Sequence, residues 1–265
     1  MNPFALLRAT ALIYSMHFGA VFGSKRVLAA FVLAAMPPVL GGLGTRLAPE
    51  TVDGSVMDGG GIFTAMGVFL FLGFVVPMLS VSIAVGAVAD EVETRTITYP
   101  FTRPIPRASL FLGRWLASLT LILGLLWLSG GALWWISNWR EPGPPNELVH
   151  AVLLAATSGA VVYSIGSAVI GTEFKRGLVI ALAYAFAFEL LVANVPGSSR
   201  ELTIQYHMRA IVADEAIKEL DAEDFLRTKS MISASGALMK MWIVSGVLLL
   251  FGCWRVGRKQ FVLSA

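Results

Sequence analysis

Residues 62–88 read IFTAMGVFLFLGFVVPMLSVSIAVGAV, without one charged side chain. A helix needs about 20 mainly apolar residues to cross a bilayer, and this run exceeds that. It has no polar face to turn toward water, so lipid or a bundle of similar segments must surround it. Pro77 lies inside it. A proline there kinks the helix and frees a carbonyl, which membrane helices tolerate when a neighbouring group satisfies that oxygen.

Five further windows of the same kind lie on either side, at 27–46, 110–137, 148–171, 178–195 and 237–254. The chain has 265 residues, of which 56% are hydrophobic and 14% charged. A soluble domain carries about 25% charged residues, so a single globular core cannot absorb this composition. The reading is an all-α polytopic membrane protein with six transmembrane helices in a single domain, 1–265. Residues 3–24 do not segregate polar from apolar cleanly. They are read as an interfacial helix along the inner leaflet rather than a seventh span. Arg8 and His17 interrupt this stretch and no clean cleavage site follows it, so the N-terminus is expected to be retained.

Orientation follows from Lys and Arg in the short loops. With the N-terminus inside, Arg8, Lys25, Arg26, Arg95, Arg103, Arg107, Arg114, Lys175, Arg176, Arg255, Arg258 and Lys259 all fall on the cytoplasmic side. The two short outer loops then hold only Arg46 and Arg140. Both termini are therefore read as cytoplasmic. The outer segment 196–236 is the one sizeable polar piece, and RAIVADEAIKELDAEDFLR at 209–227 within it is helix-prone.

Catalytic signatures are missing from the sequence. It has no G-x-S-x-G, no H-E-x-x-H and no paired intramembrane aspartates, and the glycines at 59–61 lack the Lys and Ser/Thr of a phosphate-binding loop. The lone Cys253 and the scattered His17, His150 and His207 suggest neither a disulfide nor a metal site. No basic run marks a nucleic-acid arm. The expectation is a chain that is not an enzyme and has no cofactor of its own.

Two features inside the spans stand out. Ala156, Ala160, Ser164 and Ala168 repeat every four positions, which lets helix backbones approach closely and reads as packing. Glu189 is the one carboxylate within a window. A charge at membrane depth is costly, so it marks either a hydrogen-bonding role in the bundle or a place on a translocation path. Its position shortly before Pro196 and Gly197 puts the outer headgroup region within its reach.

The loop between the second and third windows, 89–109, is the most informative. Residues 90–107 read DEVETRTITYPFTRPIPR. Acids lead and bases follow, which suits a short helix with carboxylates at its positive end. Pro100 closes such a helix, and Pro104 with Pro106 turns the chain back to the membrane.

This loop resembles that of the ABC-2 type transporter permeases, approximately E-R-E-x-G-T-[IL]-x-x-L-L-[ST]-[RK]-P-x-x-R followed by L-G-K. Glu91, Glu93, Thr96, Ile97, Thr102, Arg103, Pro104 and Arg107 match, and Leu112-Gly113-Arg114 stands for L-G-K. Val92, Arg95, Pro100 and Phe101 depart from it, where the family usually has Arg, Gly, Leu and Leu. A second likeness is ELLVANVPG at 189–197, continued by LTIQYHMR at 202–209, which is similar to some members.

The resemblance implies a half-transporter in the bacterial cytoplasmic membrane. It pairs with a second permease subunit and docks on a separate cytosolic P-loop ATPase that carries ATP and Mg. It also implies a coupling helix in the loop. Glu91, Glu93, Arg95 and Arg103 would make its polar contacts, Thr96, Ile97 and Tyr99 its packed side, and Pro104 and Arg107 its link to the third span. An exporter is the function expected. One alternative is a mechanotransmission subunit, resembling the permease of nitrous oxide reductase maturation, that works on an extracytoplasmic partner. The other is a scaffold that merely tethers an ATPase.

Overall fold

In the computed structural model, the described residues are 3–47, 51–52, 55–56, 58–86, 107–174, 176–189, 192, 198–216 and 233–258. They are almost all helical. Helix α1 spans Pro3–Phe22 and α2 spans Lys25–Leu47. A two-residue antiparallel pair, Thr51–Val52 with Ser55–Val56, follows. Next come α3 (Gly59–Ala84), α4 (Arg107–Ser137), α5 (Asn146–Glu173) and α6 (Gly177–Ala183), which continues as a π-turn over Tyr184–Phe188. A 3-10 turn at Ser198–Leu202 leads into α7 (Ile204–Ala216), and α8 is Ala234–Arg258.

Five of these helices, α2, α3, α4, α5 and α8, are long and apolar enough to cross a membrane, and they fall on five of the six apolar windows. The described part of the remaining window forms the shorter apolar helix Gly177–Ala187, and most of residues 190–197 lies outside the described residues. The apolar part of α1, Leu6–Phe22, is likewise one of the shorter apolar helices. Helix α1 exposes Phe4, Leu7, Leu12 and Met16 while its other side packs on α4, where Tyr14 donates to Thr120 Oγ1 at 3.3 Å.

Helix α5 is the central pillar. Of its most apolar stretch 78% is buried, against 28% in α2 and 22% in α8, so those two helices turn most of their surface outward from the bundle. All four small residues of the α5 stripe are buried, and Ser164 Oγ accepts a hydrogen bond from Trp115 Nε1 of α4 at 3.1 Å. Close approach is literal at two glycines of α5. A Cβ on Gly171 would stand 2.4 Å from the Val85 carbonyl oxygen at the end of α3, and one on Gly159 would overlap the Met208 sulfur of α7.

The ends of α3, α4, α5 and α8 that charge bias assigns to the cytoplasm meet at one end of the bundle. Val85 lies on Gly171, and the Phe111 ring lies on Gly252. Arg255 of α8 grips Glu173 of α5 with both arms of its guanidinium, at 2.7 and 2.9 Å. A planar, bidentate pair of this kind holds two helix ends in a defined geometry.

Candidate functional site at Glu189

The site begins with a defect in α3. Residues Ala65–Val75 are wound as a π-helix, and Val76 N–H bonds back to Phe71. Pro77 follows and has no N–H to offer, whether to Gly73 at the α spacing or to Leu72 at the π spacing. Those two carbonyls are met from another helix. The Gln205 side-chain amide of α7 donates to Leu72 O at 3.0 Å and to Gly73 O at 3.2 Å. The neighbour that a proline in a span demands is therefore Gln205, at a sequence separation of 133 and 132 residues.

Gln205 is held there by the start of its own helix. The first backbone N–H groups of a helix have no partner within it and carry the positive end of its dipole. In α7, Ile204 N donates to Glu189 Oε1 at 3.1 Å and Gln205 N to Glu189 Oε2 at 3.2 Å. Tyr206 N turns to Thr203 Oγ1 at 3.3 Å. Glu189 is fully buried, and its carboxylate also accepts from the Tyr163 hydroxyl of α5 and from Tyr184. The buried carboxyl group thus faces a helix N-terminus and hydroxyl donors in place of water. It ties α5, α6 and α7 together, and Gln205 extends the tie to α3.

At about 1.5 Å per residue, Tyr163 stands roughly 15 Å from Glu173 and roughly 25 Å from Asn146 along α5. Glu189 therefore sits against the middle of the pillar. Helix α7 climbs from there toward the other end, where Ile211 lies beside Glu147, His150 and Ala234. Tyr206, Met208, Ala210, Ile211, Val212 and Ala213 are all buried. Near its far end, Asp214 accepts a hydrogen bond from Ala234 N at 3.2 Å, capping α8 as Glu189 caps α7.

His207 is buried one turn into α7, with Nδ1 donating to the Thr203 carbonyl at 2.9 Å. Among the described residues no cluster of His, Cys, Asp and Glu suits a metal ion. Beside the cluster, between α5, α6, α7 and α8, lies a mainly apolar cavity of about 530 Å³.

Of the expected site residues, Glu91, Glu93, Arg95, Thr96, Ile97, Tyr99, Arg103 and Pro104 lie outside the described residues, and Arg107 opens α4. The chain flanking them is placed: α3 and α4 leave the bundle at the end held by Glu173 and Arg255.

The family model described as ABC-2 family transporter protein matches residues 23–220, about three quarters of the chain. The chain belongs to the ABC-2 transporter family. Within the match lie α2 to α7, and so the whole Glu189 cluster. No curated protein matches it in sequence. As an ABC-2 protein it is a multi-pass membrane subunit of an ABC transporter, which works with a partner ATPase.

The pairing of Pro77 with Gln205 makes a specific prediction for this ABC-2 subunit. Gln205→Leu leaves the Leu72 and Gly73 carbonyls unmet and is expected to cost about 1–2 kcal/mol. In a Pro77→Ala background, where α3 regains its own N–H donor, the same change should cost markedly less. A double-mutant cycle on thermal unfolding in detergent measures the coupling. Additive effects would show that Gln205 does not serve the proline break.

Proposed function

We propose that this chain is the permease half of an ATP-driven exporter in the bacterial cytoplasmic membrane. Two six-span subunits pair, each with both termini in the cytoplasm, and a separate ATPase subunit binding ATP and Mg supplies the work. The loop 89–109 carries the coupling helix, with Glu91, Glu93, Arg95 and Arg103 facing the ATPase, Thr96, Ile97 and Tyr99 packed beneath, and Pro104 and Arg107 leading into α4. ATP-driven movement of that loop biases the packing of α3 and α4 between two states.

The observation that carries this reading is the family match over residues 23–220, together with the convergence of α3, α4, α5 and α8 at the end where the loop emerges. The described part of the outer segment supports movement of a substrate over action on an outer partner protein. Residues of α7 are buried in the bundle and capped by Glu189 at its middle, as suits an outer closure and not a projecting platform. Glu189 serves that closure by holding the start of α7.

The test is reconstitution of the chain with its ATPase subunit in lipid vesicles. The ATPase should co-purify with the permease, and its hydrolysis should change several-fold when the permease is present. An ATPase that neither binds nor responds would overturn the proposal.

A further inference from the structure

The 530 Å³ cavity beside the Glu189 cluster has a shape that selects its occupant. Its floor is buried: Val162, Tyr163 and Ser167 of α5 and Ala181 of α6 are each at most 3% exposed. Its rim is open: Tyr184 on α6 and Ile243 and Val244 on α8 are among the exposed large side chains. Helices α6 and α8 scarcely touch each other among the described residues. The cavity therefore opens sideways between them, toward the medium around the bundle. At this depth that medium is hydrocarbon. An apolar cleft offers water too few partners to hold it, so a hydrocarbon chain from the bilayer is the occupant that fits.

The other end of the cavity is polar. Glu201, from the turn before α7, pairs with Lys240 of α8 at 3.5 Å, and both side chains remain partly exposed, at 38% and 51%. Lys240 lies about 9 Å along α8 from Ala234, and Leu248, at the far end of the cavity, about 21 Å, at ~1.5 Å per residue. A single cleft thus runs from a carboxylate and an ammonium at the turn before α7 to an apolar slot about 12 Å further along α8. Partly exposed ion pairs contribute only about 0–1 kcal/mol, so opening this one to a ligand of matching charges costs little.

The geometry points to a binding site for one zwitterionic phospholipid of the outer leaflet. Its phosphate lies against Lys240, its ammonium against Glu201, and one acyl chain lies along the α5 floor between α6 and α8. The volume falls in the ~300–1,000 Å³ range of small-molecule sites. This inference takes from the proposed function only the assignment of the outer face, and it does not depend on coupling to an ATPase.

Gly166 provides the test. It lines the cavity, and a Cβ built on it meets nothing within 4 Å, so a larger side chain fills the cleft without displacing a neighbour. The full chain, purified in mild detergent without the ATPase, is titrated with phosphatidylethanolamine, phosphatidylcholine or phosphatidylglycerol of equal chain length, and bound lipid is counted by native mass spectrometry. The wild type should retain one phosphatidylethanolamine or phosphatidylcholine, with phosphatidylglycerol bound at least about tenfold more weakly. Gly166→Leu should lose the bound lipid with an unchanged thermal unfolding midpoint, since leucine favours the helix that glycine weakens. Lys240→Ala should reduce retention and Glu201→Gln should abolish the preference over phosphatidylglycerol. Absence of lipid on the wild type, equal retention by Gly166→Leu, or equal binding of all three lipids would overturn the site. None of these results bears on whether the ATPase binds and responds.

Discussion

Glu189→Ala is expected to destabilise the bundle by about 3–5 kcal/mol and to release the start of α7. The substitution strands the Ile204 and Gln205 amide groups and the Tyr163 hydroxyl, all of which now donate to this carboxylate. Each buried donor left without a partner costs about 1–3 kcal/mol. Loss of the carboxylate also removes the negative charge that faces the positive end of α7. Glu189→Gln keeps one acceptor oxygen and should fall between wild type and alanine. Tyr163→Phe, which removes a single donor together with its need, should cost about 1 kcal/mol. Thermal unfolding in detergent gives the energies, and hydrogen exchange across 204–213 reports the release of α7. If the alanine variant unfolded like wild type and α7 kept its protection, the capping role of Glu189 would be wrong.

The second large effect is expected at the other end of the bundle. Reversing both acids of the proposed coupling helix, Glu91→Lys with Glu93→Lys, should lower permease-stimulated ATP hydrolysis at least about tenfold. Like charges brought together in an interface cost several kcal/mol, while tenfold requires only about 1.4 kcal/mol. Membrane insertion and the unfolding midpoint should stay at wild-type values, because both substitutions fall in the polar loop and leave the apolar sequences of α3 and α4 unchanged. Stimulated hydrolysis at the wild-type level in the purified complex would remove Glu91 and Glu93 from the coupling surface.

Much of the fold is legible before any coordinates because the bilayer is a demanding solvent. A stretch such as 62–88 admits one conformation that satisfies its backbone in hydrocarbon, the helix. Family membership was legible for another reason: a short polar loop between apolar spans preserves a distinctive residue order. Glu189 stood out for its charge alone. Its partners did not, because Tyr163, Ile204 and Gln205 lie 26, 15 and 16 residues away and belong to other helices. The one sequence signal that pointed to Gln205 was Pro77, which announces an unmet carbonyl without saying what meets it.

Residues 209–227 read along the chain as helix-prone, and 217–227 of them lie outside the described residues. In the structure the helix starts earlier, at Ile204, and buries Tyr206, Met208, Ile211 and Val212 against the pillar helix. Periodicity shows that a helix can form but not which surface covers it, and here the small side of Gly159 admits Met208.

The sequence by itself therefore determined a helical membrane protein, its family and the break at Pro77, since each follows from local chemistry: hydropathy, a loop motif, a missing N–H. Tertiary structure alone decided where that break is repaired and where the buried carboxylate goes. A hydrogen bond across the bundle depends on which helices become neighbours, and that is set by the packing of side chains far apart in the chain. The window that opened the reading, 62–88, supplied the unmet carbonyls at Leu72 and Gly73. Only the fold supplied Gln205 to meet them and Glu189 to hold it in place.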